Sequence, residues 1–507
     1  MSKRAQKIKI KNRFMPARRK PFSHKQKKEQ LKEKRQANIA KEHDATSREQ
    51  KKLPSTKAKQ DPSHFFLRFI NDSDAVVQKN KEAAYVPFNT TGDSFSLDQH
   101  VYLLPSCCAD IPRRPEGVLK MSKDELLQAE TAVFEAFFKG ISPDLDVIAT
   151  EYCVFECNEN VYRQVWRVTE RSNLMCIVAD ARFPLAHLPV SILRYAKICV
   201  RPVIIVLNKI DLAEKDSVDA WVAFLNKYVG AVLEEVNGQK QFAITTCNSM
   251  LLKENKEEHK RFMEAFVSAS RALSGISTPK RITVGFFGQP SVGKSSLING
   301  IYGKKVVSVK LTPGHTKHLQ THYLPLSGVV AGETDRSFVL CDCPGLVFAV
   351  KGSPRPLQVI TGVFPLARTR EFLTPLRLLV ECVPGFKEDI VERLNLDSLY
   401  TRYPELNQKK PDSPGEILEL YAYMWSYFSK GLTPNINRAG MELFKLIVNG
   451  SIAYTVYPSQ DLDKNLNSVL ENLPSICPAI YVNAEEARDE SESDTEYEED
   501  TSGVEEL

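Results

Sequence analysis

Gly288-Gln289-Pro290-Ser291-Val292-Gly293-Lys294-Ser295 follows directly on the apolar run Ile282–Phe287. The stretch fits G-x-x-x-x-G-K-[ST], in which glycines let the backbone wrap a phosphate. Loop N–H groups and the start of the following helix supply a positive field around it. Lys294 is placed to reach β- and γ-phosphates and Ser295 to ligate Mg2+, with Ser296 completing the phosphate-binding stretch. Working outward, strand-like apolar runs occur at 174–179, 203–207, 242–246, 282–287 and 337–341. Most are separated by segments of helical length. That alternation predicts an α/β fold, with a mainly parallel sheet flanked by helices and ligands at the C-terminal ends of the strands.

Two further motifs fall at such ends. Asn208-Lys209-Ile210-Asp211 follows the run 203–207. A carboxylate at Asp211 can accept two N–H donors from one edge of guanine, which adenine does not present in that arrangement. Asn208 can address the opposite edge, and the stem of Lys209 can cover the ring. Beside a phosphate loop, these four residues favour guanine. Asp342-Cys343-Pro344-Gly345 closes the run 337–341, where Asp342 suits a water-mediated Mg2+ contact and the Gly345 N–H can report a γ-phosphate. Between these lies Thr312-Pro313-Gly314-His315-Thr316. Thr316 is the expected hydroxyl ligand to Mg2+ when a γ-phosphate is present, Thr312 is the alternative, and His315 reads as a loop residue.

The order of the motifs is unusual. Regulatory GTPases run phosphate loop, switch threonine, DxxG and NKxD, whereas here NKxD comes first. Over residues 160–350 the chain resembles the circularly permuted GTPases of the YlqF/YawG type. Asp180-Ala181-Arg182-Phe183-Pro184 is similar to that family's D-A-R-x-P element. The resemblance implies a circularly permuted G domain over 161–350, preceded by a partly helical region over 61–160. A helical C-terminal domain over 351–483 would follow, of a kind associated with RNA or ribosome contacts. It implies GTP or GDP with Mg2+ as cofactors, with Ser295, Thr316 and Asp342 as the metal ligands. It also gives Lys294, Thr316 and Gly345 the catalytic roles and makes Thr246-Cys247-Asn248 the guanine loop, Asn248 replacing the usual Ala. Leu346 stands where a Ras-like enzyme carries the glutamine that orients attacking water, which implies slow intrinsic turnover or a water-orienting group from elsewhere. An Asn in the phosphate loop holds a stimulating K+ in some relatives. Here that position is Ser291, so K+ is a candidate further cofactor whose usual ligand is replaced.

Composition frames these motifs. The 507 residues are 42% hydrophobic and 26% charged, and the formal net charge of +5 sums unlike parts. Residues 1–60 carry 21 Lys/Arg against 5 Asp/Glu, whereas 484–507 carry 12 Asp/Glu against a single Arg. Both ends are expected to be disordered when free, around a neutral body. The basic arm, with clusters such as Arg18-Arg19-Lys20, suits nuclear import or RNA-phosphate contact. No transmembrane span, secretory signal or myristoylation site is expected, since apolar runs are short and residue 2 is Ser. The 11 cysteines lack regular spacing, and Cys153 and Cys157 read as packed thiols. The expected function is GTP binding with slow hydrolysis, acting as a monomeric switch on a preribosomal particle or rRNA in the nucleus or nucleolus. The alternative is a nucleotide-dependent interaction protein that hydrolyses little.

Overall fold

The computed structural model describes residues 74–88, 108–141, 153–233, 235–236, 239–274, 281–308, 320–327, 336–350, 355–406, 409–458, 464, 466 and 475–476. The basic arm, the run Thr312–Thr316 and the acidic tail lie outside them. Six strands form the main sheet: β1 Leu174–Asp180, β2 Val203–Asn208, β3 Phe242–Cys247, β4 Arg281–Phe287, β5 Gln320–Pro325 and β6 Ser337–Asp342. Their spatial order is β3-β2-β1-β4-β6-β5. All pairings are parallel except β5 with β6.

The apolar runs became strands because the sheet is covered on both faces. Every residue of β1 and β2 is buried, as central parallel strands require. Alternate side chains feed opposite faces. Cys176, Val178, Ile204 and Val206 pack with Met263 and Phe266 of α5 (Lys256–Ser274) and Leu297 and Ile298 of α6 (Lys294–Tyr302). Met175, Ile177, Ile205 and Leu207 face the other layer. There they join Val165 and Trp166 of α2 (Glu159–Arg171), Leu193 of α3 (Val190–Ile198), and Trp221 and Leu225 of α4 (Lys215–Leu233).

The second cluster does not stop at the sheet. It includes Phe137 of α1 (Lys123–Ile141), which starts at a capping box. Ser122 N–H donates to Glu125 Oε2 at 2.7 Å, and Glu125 N–H donates to Ser122 Oγ at 3.3 Å. It also includes six C-terminal helices: α7 Arg355–Ile360, α8 Leu373–Cys382, α9 Phe386–Leu394, α10 Leu396–Arg402, α11 Pro414–Met424 and α12 Ile436–Asn449. These helices therefore share one apolar core with the sheet. α12 ends at Gly450, whose φ of 86° continues the chain where a side chain would be strained. Among the described residues, no helix is long and apolar enough to cross a membrane.

Candidate functional site

Parallel register brings the motifs to one edge. Asp180 pairs with Asn208, Asn208 with Cys247, and Phe286 with Asp342, so every motif loop leaves the same end of the sheet. The phosphate loop springs from β4 and ends where α6 begins at Lys294. Two of its glycines have no substitute. A Cβ on Gly288 (φ 135°) would lie 2.5 Å from the carbonyl oxygen of Val178, and one on Gly293 (φ 98°) would lie 2.3 Å from Asn208 Nδ2. Pro290 and Val292 complete the turn. Ser291 adopts φ 65°, a left-handed geometry in which Asn is also at ease. Lys294 is buried, its Nζ donating to the carbonyls of Gly288 at 2.9 Å and Gln289 at 2.8 Å. Burial pulls its ammonium down to about 8, although nearby Asp342 works the other way.

The guanine-type motif is woven into this loop. Asn208 Nδ2 donates to the Val292 carbonyl at 2.9 Å, and Asn208 Oδ1 accepts from Ser249 N–H at 3.1 Å. Asn208 thus ties the phosphate loop to the segment after β3. At most one of its N–H donors is left for a base edge, a narrower part than the sequence suggested. Asp211 sits exposed in the turn Ile210–Leu212, with its carboxylate open to solvent. Thr246 is exposed and Cys247 buried beside it. Asn248, which departs from the expected alanine, caps the next helical turn by accepting from Met250 N–H at 3.1 Å and Leu251 N–H at 3.2 Å.

Ser295 Oγ donates to Asp342 Oδ2 at 2.9 Å, so two of the three expected metal ligands are adjacent. A hydroxyl and a carboxylate are hard oxygen donors of the type Mg2+ takes alongside phosphates, and they fit that ion. The third, Thr316, lies outside the described residues. Gly345 abuts the phosphate loop closely, since a Cβ there would sit 2.8 Å from the Pro290 nitrogen. Leu346 N–H then donates to the Gly288 carbonyl at 3.3 Å, while its side chain is buried in the core. Cys343 is also buried, and burial pushes its thiol well above the ordinary range. Cys153 and Cys157 donate to the carbonyls of Phe348 and Phe155, as packed thiols do.

Sequence reasoning gave no role to two side chains that adjoin this site. Arg182 is fully buried and forks onto Asp180, Nε to Oδ1 at 3.0 Å and Nη2 to Oδ2 at 2.8 Å. His187, on the turn Pro184–His187, is buried with Nδ1 2.9 Å from Gln289 Oε1, linking that turn to the phosphate loop. Burial lowers its imidazole to about 4, with Asp180 partly opposing. The unfolded chain binds a proton near the ordinary 6.5, but the folded chain does not. Stability should therefore fall as pH drops from about 6.5 towards 4, by up to about 3 kcal/mol. Asp180 shifts the other way. Burial would raise its carboxyl, but the charges of Lys209 and Arg182 outweigh that and hold it far below the carboxylate range. Its contribution is lost only at more acid pH, so the two windows separate. Urea midpoints measured from pH 7 to 4 should show the first loss, and His187→Gln should flatten it.

Residues 283–370 match the family described as 50S ribosome-binding GTPase. Mouse guanine nucleotide-binding protein-like 1 is 28% identical over 468 residues, covering 78% of this chain and 73% of that protein. GTPase LSG1-1 of Arabidopsis thaliana is 28% identical over 439 residues, covering 77% and 79%. GNP-bound YlqF from T. maritima aligns with a TM-score of 0.36 at 20% identity, over 58% of this chain and 95% of that one. Strand order and motif order together make this a circularly permuted P-loop GTPase fold with a helical C-terminal extension.

Proposed function

We propose that this chain is a GTP hydrolase of low intrinsic rate that acts as an assembly switch on large-subunit preribosomal particles. The hydrolase assignment follows from the matched GTPase domain. The low rate rests on one observation: the residue after Gly345 is an apolar side chain turned into the core, with no group there to orient water. In this reading, Gly288–Ser296 hold the phosphates, with Lys294 as their cation. Ser295, Thr316 and Asp342 would hold Mg2+, which would supply positive charge to the phosphates when bound. Asp211 and Lys209 take the base, with Thr246 and Cys247 forming the wall beside it. Gly345 N–H senses the γ-phosphate, and the chain running on from it carries that state to the C-terminal helices.

The particle is proposed from the family's printed description and from the basic arm, whose excess of Lys and Arg suits RNA phosphates. Nucleolar residence follows from the same reading. Sucrose-gradient sedimentation of the full chain with a non-hydrolysable GTP analogue tests it. Comigration with large-subunit precursors is expected, and sedimentation as a free protein in every nucleotide state would favour a signalling partner.

Base choice is tested separately. Asp211→Asn exchanges an acceptor for an amide and should weaken GDP binding by about 1–3 kcal/mol, the cost of unpaired polar groups. Xanthosine diphosphate should gain in relative affinity. Equal binding of ADP and GDP by the unaltered protein would contradict the assignment.

A further inference from the structure

We propose that Asp180 and Arg182 are positioning residues for the Lys209 stem that covers the base ring, and that through Arg182 the filling of the base site fixes the C-terminal end of α12. This rests on the reading of the 208–211 turn as the base site.

Lys209 has a left-handed backbone, φ 62°, and its Nζ donates to Asp180 Oδ2 at 2.9 Å. The same carboxylate is gripped by Arg182, so the direction of the Lys209 stem is set by an ion triad whose Asp180 and Arg182 are buried and whose Lys209 is half-buried. Arg182 then reaches across the molecule. Its Nη1 donates to the Ile447 carbonyl at 2.9 Å and its Nη2 to the Val448 carbonyl at 3.2 Å, which are two of the last carbonyls of α12. Its guanidinium also lies 5.1 Å from the Tyr454 ring centroid. A buried cation here satisfies orphan carbonyls and opposes the negative end of the helix dipole.

A second set of contacts joins the same places independently. The side chain of Leu212, on the guanine-type turn, leaves no room for a Cβ on Gly450, the cap of α12; its Cδ2 would be 2.5 Å away. Val448 packs against Gly362, and Ser291 of the phosphate loop lies 3.8 Å from where a Cβ would stand on Gly362. Beyond the cap, the Val456 carbonyl accepts from Ser217 Oγ at 2.8 Å and Trp221 Nε1 at 2.7 Å, both on α4. The end of α12 therefore rests on the elements that would hold the base. A ligand ring under the Lys209 stem would restrict the triad and, with it, the segment from Ile447 to Tyr454. This coupling needs the base and not the γ-phosphate, so GDP and GTP should produce it equally.

The test uses the full chain with GDP and inosine diphosphate as probes, reading binding by calorimetry and backbone amide exchange at Gly450 and Ile452. GDP should slow exchange at both in the unaltered protein. Arg182→Lys keeps a cation beside Asp180 but loses the fork to α12. It should weaken both nucleotides by the same factor, about fivefold to twentyfold, because the Lys209 stem covers a ring and reads no edge group. Tyr454→Leu removes the ring beside Arg182 but keeps all three ionised groups of the triad, and should keep GDP affinity within about twofold while losing part of the nucleotide-dependent protection. Loss of discrimination between the two bases in Arg182→Lys would overturn the positioning role. GDP binding that left Gly450 and Ile452 exchanging as before would overturn the coupling. Absence of GDP binding by the unaltered chain would instead bring down the base-site reading beneath both.

Discussion

Lys294→Ala is expected to abolish measurable nucleotide binding, raising the GDP dissociation constant at least about a hundredfold. The Lys294 ammonium is almost wholly removed from water, with its donors aimed at two loop carbonyls. A hydrogen bond from such a charge is worth about 1.5–3 kcal/mol, and two to a polyphosphate exceed the roughly 2.7 kcal/mol that a hundredfold change represents. The same residue gives the binding a pH signature. Free Lys294 sits at about 8, because burial disfavours its charged form. Phosphate beside it raises that value, so the bound state keeps the proton over a range where the free state has lost it. Affinity is then full below about pH 8 and falls as pH rises further, by about tenfold per unit. Fluorescent GDP titrations from pH 6.5 to 9.5 should show that break, and isothermal titration in two buffers should show proton uptake above it. A flat profile in the unaltered protein would mean Lys294 does not meet the phosphates.

The central strands were legible because burial on two faces leaves only apolar residues to choose from; β1 and β2 read as unbroken runs. β5 was not legible. Gln320-Thr321-His322-Tyr323-Leu324-Pro325 lies at an edge with mostly exposed side chains, so neither an apolar run nor a clean alternation marks it. The motif loops were readable individually because each has its own backbone requirement, as the positive φ at Gly288 and Gly293 shows. What joins them was not readable. Asn208 bonds to a carbonyl 84 residues away and Arg182 to one 265 residues away, and nothing local in either stretch marks its partner. The missed charges were visible as Asp180-Ala181-Arg182, but their worth depends on being sealed in, which only the packed helices decide.

Leu346→Ala separates a catalytic reading of that position from a structural one. Leu346 is 4% exposed and belongs to the cluster shared by the sheet and the C-terminal helices. Removing a buried leucine side chain costs about 2–5 kcal/mol, the spread reflecting how far the cavity collapses. A denaturation series should find that loss. Turnover per folded molecule at low temperature should change little, because no polar group is removed and the 3.3 Å bond from the Leu346 N–H to the Gly288 carbonyl is made by the main chain. Thr316→Ala should do the reverse, sparing stability and GDP affinity while lowering single-turnover hydrolysis, since its hydroxyl would engage only with a γ-phosphate present. The contrast matters because Leu346 follows directly on Gly345, which touches Pro290 of the phosphate loop. A core side chain there anchors the segment leaving Gly345, so movement at the γ-phosphate must pull on packed residues and not on a free loop. If Leu346→Ala stopped hydrolysis without loss of stability, while Thr316→Ala left it intact, water would be oriented from this position after all.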